Sequence, residues 1–119
     1  MTVGTFVRAM RIEPYGWHLY VFTDRAKLVR FVTRRTGGQK LMAYARDCDG
    51  MTINNAEQKE FYTGVFDHSV STLAHEMCHV SVWLLANAGV TIDQENDEPL
   101  AYLVGYLVRE CQSAIEDKL

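Results

Sequence analysis

The chain has 119 residues, which fits a single domain over 1–119 and leaves no room for two. With 48% hydrophobic residues it can bury a core without disulfide staples. A net charge of -3 offers no electrostatic footprint for nucleic acid or an anionic membrane, and no apolar run approaches the roughly 20 residues of a membrane span.

In chain order, Thr5 to Ile12 is rich in apolar and β-branched residues and reads as a strand. It ends at Glu13-Pro14-Tyr15-Gly16, a turn signal, and Trp17 to Phe22 follows as the second strand of a hairpin. Thr23 is placed to cap a helix, with Asp24 in its first turn. That helix puts Leu28, Phe31 and Val32 on one face and Arg25, Arg30, Arg34 and Arg35 on a solvated one, and Gly37-Gly38 stops it. Lys40 to Arg46 reads as a strand, Asp49-Gly50 as a turn and Met51 to Asn54 as the returning strand. Glu60 to Phe66 favours another strand. A helix from Val70 to Asn87 stops at Gly89, and a last helix opens at Glu98-Pro99 and runs towards Asp117. Strands and one helix followed by two helices predict an α+β domain.

The residues from Met1 to Met10 lack the pattern of a secretory signal. Cys48, Cys78 and Cys111 are odd in number and have no paired spacing, which suits a reducing, cytoplasmic setting.

The chemistry is concentrated in His75-Glu76-Met77-Cys78-His79. On a helix, His75 and His79 lie roughly 40° apart and one turn apart, so both imidazoles can reach one metal ion, for which zinc is the usual choice. Glu76 lies about 100° from His75, where it can reach a water beside the ion and act as general base. Leu73, Met77, Val80 and Leu84 fall on the opposite side, so the helix has a core-facing back and a histidine-bearing front.

A catalytic zinc keeps three protein ligands, and the acidic run Asp93-Gln94-Glu95-Asn96-Asp97-Glu98 can supply the third. Glu98 is the first choice, because it shares a helix face with Tyr102, Gly105 and Arg109 that can lie against the histidine helix; Asp97 and Glu95 are the alternatives. On that face Tyr102 can donate to an oxyanion. His68, Tyr106 and Cys78 are lesser candidates whose ordinary readings are a loop histidine, packing and a small buried residue. Cys48 and Cys111 are read as packing residues and His18 as structural.

The motif with its downstream glutamate resembles the zincins, His-Glu-x-x-His metallopeptidases, and among them the gluzincin type. The stretches Val65 to His79 and Glu98 to Tyr106 are similar to short single-domain metallopeptidase-like chains encoded by bacteriophages. The likeness covers roughly Phe61 to Val108. It implies a minimal zincin-like domain: a small twisted sheet, an active-site helix and a C-terminal ligand-bearing helix. It implies zinc on His75, His79 and Glu98, Glu76 as base, and a peptide or protein substrate. The strand from Tyr62 to Phe66 is the expected edge on which an extended peptide adds to the sheet. A phage-encoded chain of this kind acts in the host cytoplasm. The chain lacks residues for the second subdomain of larger zincins, so the alternative function is a non-catalytic protein of this fold that binds and blocks a host factor.

Overall fold

A computed structural model describes residues 6–37 and 47–116. The expected strand Lys40–Arg46 lies outside the described residues. The elements are β1 (Arg8–Ile12), β2 (Trp17–Phe22), α1 (Arg25–Thr36), β3 (Gly50–Asn55), β4 (Glu60–Val65), α2 (Val70–Asn87) and α3 (Glu98–Ile115). They form an α+β domain around one four-stranded mixed sheet of order β1-β2-β4-β3. The pairs β1–β2 and β3–β4 are antiparallel, and β2 runs parallel to β4, so two hairpins meet along a parallel seam.

Side-chain alternation along the strands splits the core between the two faces. Trp17, Leu19, Val21, Phe61 and Val65 pack with Leu73, Met77, Val80, Leu84, Leu103 and Leu107 beneath α2 and α3. On the other face Phe22 and Tyr62 pack with Leu28 and Val32 of α1. Gly64 belongs to this second face, where a Cβ would stand 2.3 Å from Phe66 and 3.1 Å from Leu28. The absent side chain lets α1 close on the sheet.

Three local expectations change. Asp24, not Thr23, caps α1, accepting from the Lys27 amide at 3.0 Å. Gly50 opens β3 instead of sitting in a turn before it, and the reversal falls between β3 and β4, where Lys59 takes φ +57° and Asn55 Oδ1 accepts from the Gln58 amide. Arg35 is no simply solvated charge. It pairs with Glu60 at 3.0 Å and lies over the Phe31 and Tyr20 rings.

The start of α2 is held firmly. Ser69 accepts from the Thr72 amide, and Asp67 accepts from the Ser69 amide, the Ser69 hydroxyl and the Thr72 hydroxyl. The Thr72 hydroxyl bond is the main cause of an Asp67 pKa below the ordinary carboxylate value. His68, at φ +58°, hydrogen-bonds through Nδ1 to the Ile115 carbonyl at 2.9 Å. That contact ties the start of α2 to the end of α3, so the two helices form an antiparallel hairpin. Among the described residues no helix is long and apolar enough to cross a membrane.

Candidate active site

The phase of α2 places its chemistry. Leu73, Met77, Val80 and Leu84 are buried, while His75, Cys78 and His79 are exposed. Thr72, Glu76 and Trp83, at roughly 60°, 100° and 80° from His75 around the helix, form a third stripe. That stripe borders β3. The β3 positions Met51 and Ile53 pack on the α1 side, which leaves Gly50, Thr52 and Asn54 towards α2.

Between helix and strand runs a trench made of two adjoining cavities that share Gly50, His75 and Glu76. One, of about 490 Å³, extends along β3 to His79 and Trp83; the other, of about 330 Å³, extends to Asp49, Ser71 and Thr72. Trp83 is 48% exposed and is the large aromatic at the far end.

Within the trench, His75 Nε2 and His79 Nε2 stand 3.3 Å apart. Two nitrogens bound tetrahedrally to zinc at ~2.0–2.1 Å are separated by about 3.3–3.4 Å, so the pair fits two coordination positions of one zinc ion. Glu76 lies beside them with Oε2 4.0 Å from His75 Nε2. It lines the trench as expected, yet it is only 4% exposed, which its sequence position does not reveal. Its other oxygen, Oε1, accepts from the Thr52 hydroxyl at 2.7 Å, and the Thr52 and Thr63 hydroxyls are 3.1 Å apart. Thr52, Thr63 and Gly50 carry no local sequence signal for a role at this site. They are found only when β3, β4 and α2 are brought together.

The remaining sequence-derived site residues lie elsewhere. Glu98 and Tyr102 line a separate cavity of about 640 Å³ with Glu13, Pro14, Tyr15, Pro99, Tyr106 and Arg109. The physical reason is the helix hairpin. α2 continues from His79 to Asn87, about 12 Å, before the chain turns, and Glu98 opens α3 beyond that turn. The face of α3 directed into the core is the apolar one, Leu103, Leu107, Cys111 and Ile115, and the polar stripe faces outward. Tyr102 is 78% exposed. Glu95 and Asp97 are exposed in the connecting loop and border none of these cavities. Among the described residues no group of three His, Cys, Asp or Glu side chains is gathered for a metal ion. The donor set therefore fits zinc as far as the histidine pair and no further.

Cys78 is exposed on the histidine side of α2, contrary to the buried role expected of it. Cys111 is buried, and burial pushes its thiol up to about 11. Among the described strands the edge beside the trench is β3; β4 is interior, paired on both sides and buried along its whole length. The expectation that the strand from Tyr62 to Phe66 offers the free edge is thereby corrected. In comparisons with known proteins, no family model, no curated protein and no solved structure matches the chain.

Proposed function

We propose that the trench between α2 and β3 is the active site of a metal-dependent hydrolase of the peptidase type. The observation that carries this reading is the convergence of His75 and His79 on one point, beside a buried carboxylate at the next position in the helix. His75 and His79 would hold the ion, with zinc the fitting class; Glu98, anticipated as third ligand, lines a separate cavity. A bound zinc supplies Lewis acidity to a carbonyl oxygen and acidity to a coordinated water.

The protein's own part follows from its groups. Glu76 presents Oε2 to the trench, where it can take a proton from an attacking water and return it to a leaving amine. Among the described residues no strand pairs with the outer edge of β3, so an extended peptide could add there by main-chain hydrogen bonds. Trp83 closes one end of the path and offers an apolar surface to a side chain.

The test joins metal content to activity. Wild-type protein should take up about one zinc per chain, and the His75→Ala, His79→Ala double variant should take up none. Wild type should also cleave an unfolded polypeptide that Glu76→Gln leaves intact. Zinc-free wild type that binds none on titration would sink the proposal. Uptake of zinc with no cleavage would point to a non-catalytic protein of this architecture.

A further inference from the structure

We propose that Thr52 is a positioning residue for Glu76, acting from β3 through a directed pair of hydroxyls. The inference rests on reading Glu76 as the base of the cleft and adds the group that aims it.

The geometry is specific. Glu76 has two oxygens with different surroundings. Oε1 is held by the Thr52 hydroxyl at 2.7 Å, and Oε2 is the one nearer His75, at 4.0 Å. An ionised carboxylate can only accept, so the Thr52 proton is committed to Glu76. Thr63, directly opposite in the β3–β4 register and fully buried, must then donate to Thr52 across 3.1 Å. The order of donation runs from β4 to β3 to α2. It leaves one lone-pair face of the carboxylate in the trench and removes the freedom of the other.

Burial makes this matter. At 4% exposure, a carboxylate without a donor loses its hydration without replacement, and the cheapest relief is to rotate towards the trench and water. A rotated Glu76 still exists in the site, but Oε2 is then displaced from its position beside His75. Misplacement of a reacting group by about an ångström is enough to cost about 100-fold in rate.

Thr52→Val removes the hydroxyl while keeping the branched shape, Thr52→Ser keeps the hydroxyl, and Thr52→Ala serves if valine fails to fold. Two readouts apply to the whole chain. The first is carbodiimide-driven amine labelling of Glu76, followed by mass spectrometry, which needs no activity. The second is the separation of kcat from KM on an unfolded polypeptide. Thr52→Val should label several-fold faster at Glu76 than wild type and lose about 10–100-fold in kcat with KM little changed, the scale of losing a partner that orients a site group. Thr52→Ser should restore both to within about threefold. Wild-type labelling and kcat in Thr52→Val would overturn the assignment, as would serine failing to rescue. If wild type and Glu76→Gln are equally inactive, the reading of Glu76 as base fails, and the labelling rates still decide whether Thr52 holds it.

Discussion

Glu60 and Glu76 are both buried carboxylates, at 8% and 4% exposure, on opposite faces of the sheet. Glu60 is saturated from within. Oε1 accepts from Arg35 Nε at 3.0 Å and from the Tyr62 hydroxyl at 2.5 Å, and Oε2 accepts from Arg35 Nη2 at 3.3 Å. Asn55 in turn donates to the Tyr62 hydroxyl, so β3, β4 and α1 are sewn together around one charge. Glu76 has a neutral hydroxyl on one oxygen and an open trench before the other. A guanidinium fixes the charge of the first and spends its lone pairs on the fold. The second keeps a lone pair facing the trench, and that difference is what favours the proposal of Glu76, not Glu60, as the base.

The sharpest way to break the comparison is to neutralise each glutamate in turn. Glu76→Gln should lower hydrolysis by about 10²–10⁴-fold and change stability by under about 1 kcal/mol. Glu60→Gln should reverse the pattern, costing about 1–3 kcal/mol in urea unfolding while hydrolysis persists. If both lose activity alike, the two carboxylates are not distinct in kind.

Next comes the space beside Glu76. A Cβ on Gly50 would stand 2.5 Å from Thr72 Cγ2, 2.9 Å from the Gly64 carbonyl oxygen and 3.2 Å from Glu76 Oε2. Gly50→Ala should therefore cost about 1–3 kcal/mol by overpacking. On α3, a Cβ on Gly105 would meet no other part of the described residues within 4 Å, so Gly105→Ala should instead stabilise by about 0.5–1 kcal/mol through helix propensity. Thermal unfolding of the two variants should show opposite signs.

Tyr62 sharpens the Glu60 side. Burial, with the bond to Glu60 second, pushes its hydroxyl up to about 12 from an ordinary value of 10. The folded state thus holds this proton more tightly than the unfolded chain does. Its contribution to stability is complete below about pH 10 and is lost as pH rises towards about 12. Tyr62→Phe should flatten the wild-type decline in denaturation midpoint across that window. The smallest effect belongs to Asp67, whose pKa is lowered, so its contribution is present above the usual carboxylate range and disappears as pH falls through the lowered value. Asp67→Asn should flatten the acid limb and leave the alkaline one alone.

Much of this was legible in residue order. The period of α2 separates Leu73, Met77, Val80 and Leu84 from His75 and His79, and both sets lie where helix geometry requires. The strands beginning at Trp17 and Glu60 announced themselves by β-branched and aromatic content. The parallel pairing of β2 with β4 has no such local sign, and without it β4 cannot be recognised as interior. The same holds for Glu98. The polar stripe on its helix is real, but which side of the hairpin that stripe meets depends on how far α2 runs past His79. Thr52 is invisible in sequence for a related reason, since its importance comes wholly from a neighbour 24 residues away.

The order β3, β4, α2 along the chain has an entropic meaning. Thr52, Thr63, His75, Glu76 and His79 all belong to one unbroken hairpin and the helix that follows it. Their mutual contacts close short loops, which cost little chain entropy. The seam between β2 and β4 instead closes a loop that contains α1 and β3. Closing the longer loop carries the larger entropic cost. The candidate cleft is therefore built from contacts of short sequence separation, whereas its attachment to β2 is made across a long one.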